Sequence, residues 1–74
     1  MNKIQLTTLA DLAQDLQINK SKLLYYLDMG LIEPIDVMGV TGIYDKKKTI
    51  AIVKKIKVLQ NKGYSLKQIG LEIK

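Results

Sequence analysis

The chain contains no cysteine and no histidine. Those two absences exclude disulfides, thiolate nucleophiles, imidazole base catalysis and the common Cys/His zinc sites, and leave the core to hold without staples. Arginine is missing as well: all twelve basic residues are lysines, against seven acids, for a net charge of +5. An anionic partner would therefore meet ammonium groups, which suit phosphate contact and long-range attraction, and never the guanidinium fork that reads guanine bidentately. A solvated, lysine-rich surface has the same composition, so charge alone leaves both readings open. No apolar run approaches the ~20 residues that span a bilayer, and the start MNKIQLTTLADLA lacks the apolar block of a signal peptide. No membrane partner and a cytoplasmic location are expected.

What is present fits a small folded unit. Apolar residues make up 47% and charged residues 26% of the chain, richer in Leu, Ile and Val than disordered chains are. At 74 residues there is room for one domain, 1–74. A chain of this size buries only about 60% of its unfolded surface, which leaves no large active-site cavity. Neither an enzyme nor a bound cofactor or metal is expected. There are no repeats, low-complexity runs or Ser/Pro-rich linkers.

The periodicity gives four helices and a hairpin. Thr8 followed by Asp11 resembles a capping box, and Leu9, Leu12, Ala13 and Leu16 then recur at helical spacing, predicting a helix over about 8–15. LQIN breaks the pattern. Asn19 is placed to cap a second helix over about 20–28 that stops near Gly30, the expected left-handed position. Two short helices joined by so brief a turn match a helix-turn-helix, whose second helix protrudes toward the DNA major groove. After Pro34, IDVMGVTGIYD mixes β-branched residues with Gly39 and Gly42, the composition of a small hairpin and hence of a wing. Asp45 is placed to cap a third helix over about 46–62 ending at Gly63, and Ser65 with Gln68 forms a second capping box opening the last helix.

In LLYYLDMGLIEP the two tyrosines are adjacent, so on a helix they point about 100° apart and have different jobs. Leu23, Leu24 and Leu27 with Lys20 share one arc, and Ser21, Lys22, Tyr25 and Asp28 lie on the other side. Tyr26 should pack against the apolar arc with its hydroxyl at the edge. Tyr25 should face outward beside Lys22, either to meet a phosphate oxygen or to cover a neighbouring loop.

TTLADLAQDLQINKSKLLYYLDMGLIEP resembles the DNA-binding domain of the MerR family of winged-helix regulators, in which two helices lead into an aromatic pair, a polar residue and Gly-Leu-Ile before a Pro. GIYD is similar to the end of the family's wing, and IKVLQNKGYSLKQIG to its third and fourth helices, so the resemblance covers nearly the whole chain. It implies a mainly α, winged helix-turn-helix fold that binds double-stranded DNA, with the second helix in the major groove and the wing along the backbone. Transferred to this sequence, the DNA-binding residues are Asn19, Lys20, Ser21 and Lys22 at the start of the recognition helix and Tyr25 at the first aromatic position; Thr41 in the wing, and Lys46 and Lys47 in the lysine cluster just beyond it, are further candidates. Among these, Asn19 and Lys22 are the candidates for base edges and Lys20 for a phosphate.

Two positions depart from the family pattern. Leu24 stands where the family commonly has an Arg before the aromatic pair, and Val40, Thr41 and Gly42 stand where the wing commonly reads Gly-Tyr-Arg. Lysines 46–48 would replace part of that charge, although cations at a helix start oppose its dipole; a solvated helix start is the other reading of this cluster. The 74 residues hold neither the family's long dimerisation helix nor an effector domain, so no metal, drug or redox sensing is assigned, and the domain is either native at this size or excised from a longer regulator. A transcriptional regulator is the expected function. An excisionase-like recombination factor is the alternative, followed by a protein-interaction module that has lost DNA binding.

The outer helix surfaces give one further expectation. Ile52, Val53, Ile56 and Leu59 form the buried stripe of the third helix, with Val58 on the far side near Ala51, Lys54 and Lys62; Leu66, Ile69 and Ile73 face inward on the fourth, with Leu71 pointing away. Singly exposed apolar residues are ordinary. The functional alternative is self-association on DNA through Val58 and Leu71.

Overall fold

The computed structural model describes residues 4–73. Along the chain run β1 (Leu6–Thr7), α1 (Leu9–Leu16), α2 (Lys20–Asp28), β2 (Asp36–Met38), β3 (Thr41–Asp45), α3 (Lys46–Asn61) and α4 (Leu66–Ile73). The four helices and the hairpin lie where the sequence places them, within a residue or so at each end.

The helix ends follow from local chemistry. The Thr8 hydroxyl accepts the Asp11 N–H at 3.3 Å and the Asp45 carboxylate accepts the Lys48 N–H at 3.1 Å, each satisfying a donor that the first helical turn leaves without a partner. At α4 the box closes in both directions: Ser65 N–H donates to Gln68 Oε1 at 2.9 Å, and Gln68 N–H donates to Ser65 Oγ at 3.2 Å. Asn19 occupies the N-cap of α2, but its side chain makes no capping bond there.

The C-termini of α1, α2 and α3 share one device. In α2, Leu31 N–H reaches back to Tyr26 O and Gly30 N–H to Leu27 O, with Gly30 at φ 77°; this is a Schellman motif, with buried Leu31 and Tyr26 as its apolar pair. The same bonds close α3 from Tyr64 to Leu59 and from Gly63 to Gln60. In α1 they run from Ile18 to Ala13 and from Gln17 to Gln14, and the left-handed position is occupied by Gln17 at φ 55°. A glutamine thus makes the tight bend between α1 and α2 that glycine makes elsewhere.

β2 and β3 pair antiparallel with Asp36 opposite Ile43, Val37 opposite Gly42 and Met38 opposite Thr41. The loop between them is Gly39–Val40, and the positive φ of 63° sits at Gly39, where a two-residue hairpin of the II′ kind requires glycine. The sheet has a third strand that the sequence did not suggest. β1 pairs with β3, Leu6 opposite Asp45 and Thr7 opposite Tyr44, giving the order β1-β3-β2. Two residues carry no readable alternation, and β1 exists because the wing's inner strand offers it a free edge.

One core joins all the helices to the sheet: Leu9 and Leu12 of α1, Leu23 and Tyr26 of α2, Leu31 and Ile32 after it, Tyr44 of β3, Val53 and Ile56 of α3, and Ile69 of α4. Ile52, Leu59, Leu66 and Ile73 pack around it, as their spacing predicts. Two expectations about α2 need correction. Leu24 is 47% exposed, because burial of Leu23 and Tyr26 turns the helix so that Leu24 lies at the border of the apolar arc. The Tyr26 hydroxyl is not at the edge but buried without a hydrogen-bond partner among the described residues, since the whole ring sinks between the helices.

Candidate nucleic-acid interface

Burial of Leu23 and Tyr26 fixes the rotation of α2 and so decides what its first turns present. Asn19, Lys20, Ser21 and Lys22 are all exposed, and Tyr25, one turn further along, is 51% exposed where its neighbour Tyr26 is at 1%. The adjacent tyrosines thus divide as the helical wheel requires. The outward set has two ammonium groups, an amide, a hydroxyl and a phenol: Ser21, Lys22 and Tyr25 come from the arc opposite the core, Lys20 from beside the apolar arc, and Asn19 from the extended N-cap position ahead of the first turn.

The wing flanks this surface. A cleft of about 460 Å³ opens between the start of α1, the side of α2 and the wing, and its lining includes Lys20, Leu24, Val40, Thr41 and Tyr44. It brings Lys20 and Thr41, which are 21 residues apart in sequence, to one opening. A cation and a hydroxyl on a part-apolar cleft suit a phosphate oxygen and the sugar beside it. Leu24 and fully exposed Val40, which line the same cleft, were not among the sequence-derived candidates. The available signal was position: Leu24 stands where the family pattern has arginine, and Val40 opens the three residues that replace the wing's Gly-Tyr-Arg.

The cations at the start of α3 differ from one another. Lys46 turns back to α1, its Nζ 3.3 Å from Asp15 Oδ2, with both side chains partly exposed. A surface pair of this kind contributes at most about 1 kcal/mol, but it holds Lys46 at the base of the sheet, where its N–H also donates to Gln5 O at 2.8 Å. Lys47 is exposed. The perturbed titrations are structural: burial raises the pKa of Tyr26 and of Tyr44 above the ordinary tyrosine value of 10.0. Among the described residues no group of His, Cys, Asp or Glu side chains could hold a metal ion, and no helix is long and apolar enough to cross a membrane.

A short two-helix unit with its second helix exposed at the start, flanked by a β-hairpin and backed by further helices, is a winged helix-turn-helix domain. The family model described as MerR HTH family regulatory protein matches residues 7–73. The chain belongs to this family of regulators, whose helix-turn-helix domains are DNA-binding modules and not typically enzymes. No curated protein and no solved structure matches the chain.

Proposed function

We propose that this domain binds double-stranded DNA sequence-specifically and acts as a transcriptional regulator. The observation that carries the reading is the exposed start of α2, with Tyr25 turned outward and Lys20 sharing a cleft with Thr41 of the wing. Asn19 and Lys22 reach base edges in the major groove; Lys20, Ser21, Tyr25 and Thr41 take phosphate or sugar. Lys47 adds long-range attraction, and Lys46 contributes less because Asp15 already partners it.

A single module of this kind covers about 600 to 1,000 Å² of DNA, and lysines alone discriminate bases modestly. Selectivity therefore comes from several copies on repeated half-sites, touching through the exposed Val58 and Leu71. Selection of bound sequences from a random duplex pool tests this reading. It should return a short motif repeated at regular spacing, and recovery of a pool indistinguishable from the input would reject sequence-specific binding.

A further inference from the structure

Charge is segregated along the chain. From Leu31 to Asp45 there are three acids and no lysine, whereas α3 carries six lysines and no acid. Strand pairing places Leu6, Ile43, Asp36 and Met38 on the face of the sheet turned away from buried Thr7 and Tyr44. That face is uncovered: Leu6 is 63% and Met38 71% exposed. With the start of α1 it forms a groove of about 250 Å³ whose lining includes Leu6, Met38 and Ile43 together with Asp11 and Asp36. Asp36 Oδ1 accepts the Val37 N–H at 2.8 Å, which orients that carboxylate.

Two carboxylates on an apolar groove repel a phosphate backbone and call for a small apolar side chain flanked by cations. The chain itself carries that pattern. On the solvent side of α3, Lys54, Val58 and Lys62 follow at intervals of four residues, so the three lie along one side of the helix, with Val58 half-exposed between the ammonium groups. Val58 lies thirteen residues beyond Asp45, about 20 Å along α3 from the sheet, so the ridge and the groove of one molecule do not meet.

We infer that the acidic groove on the outer face of the sheet receives the Lys54–Val58–Lys62 ridge of a second copy, giving a head-to-tail contact. Such a heterologous contact leaves a joined pair with one unused groove and one unused ridge, so further copies add in a row unless the rotation between neighbours closes a ring. This deepens the self-association part of the proposed function, and it identifies the surface that Val58 meets.

The absence of native cysteine permits a direct test without DNA. Met38→Cys chains are mixed at low salt with an equal amount of Val58→Cys chains under mild oxidation, and the three dimers are separated by mass. The mixed disulfide should exceed the two homodimers several-fold. Adding Asp11→Lys and Asp36→Lys to the Met38→Cys chain should return the three species to the random 1:2:1 proportion. Random proportions from the first mixture would overturn the contact, and so would a mixed excess that survives the charge reversal. Because both substituted side chains are exposed, the readout does not depend on repacking the core, and it stands whether or not the chain binds DNA.

Discussion

Tyr25 and Tyr26 are chemically identical and adjacent, yet their surroundings give them opposite sensitivities. Tyr25→Phe removes only an exposed hydroxyl, so stability should stay level while affinity falls on every duplex by about 1 kcal/mol, the typical net worth of a hydrogen bond. Undiminished binding by that variant would show that the phenol covers a loop and touches no DNA. Tyr26→Ala empties a core position and should lose about 3 to 5 kcal/mol. Tyr26→Phe should leave stability unchanged or raise it by about 1 kcal/mol, because the hydroxyl is buried without a partner among the described residues. The sign of the pH dependence follows from the same burial. Desolvation raises the folded-state pKa of Tyr26 and Tyr44, so their contribution is intact below about pH 10, where the unfolded phenols are still neutral, and is lost as pH rises through the folded values. Denaturant midpoints measured from pH 8 upward should fall only at the alkaline end, and less steeply in Tyr26→Phe.

At the scale of elements, the turn between α1 and α2 is the place where local strain is visible. Gln17 holds a left-handed conformation that disfavours side chains, so Gln17→Gly should stabilise the domain by up to about 1 kcal/mol. A loss of stability would mean that the Gln17 side chain makes contacts outweighing the strain. The recognition helix and the start of α3 should also separate in titrations: Lys22→Ala is expected to relax preference at one base position by about 1 to 3 kcal/mol, whereas Lys47→Ala should lower affinity evenly and reduce the salt slope by about 1. Equal losses on cognate and random duplex for Lys22→Ala would assign that residue to positioning alone. Most of these elements were legible because capping chemistry is local: Thr8, Asp45, and Ser65 with Gln68 each mark a start that the backbone then uses. The positions that escaped depend on long-range partners. β1 needs the edge of β3, the Leu24 exposure depends on how deeply Tyr26 sinks, and the cleft joining Lys20 to Thr41 forms only once the wing packs beside α2. The Lys46–Asp15 pair likewise joins two helices that no sequence pattern links.

For the molecule as a whole, a net charge of +5 carried by lysine alone sets how it meets a polyanion. Each ammonium that neutralises a phosphate releases a condensed counterion, so affinity falls on a log-log plot by about 0.9 per contact on duplex DNA. Lys20, Lys22 and Lys47, with a smaller share from Lys46, make a slope of about 3 the expectation for one copy on one site. The measurement that tests the central claim most directly is a titration of the intact chain against a selected duplex and a random duplex across a series of salt concentrations. The account predicts a slope near 3 per bound copy on both duplexes, with the selected site bound more tightly at every salt concentration. A slope indistinguishable from zero, or identical affinities for the two duplexes throughout, would contradict it.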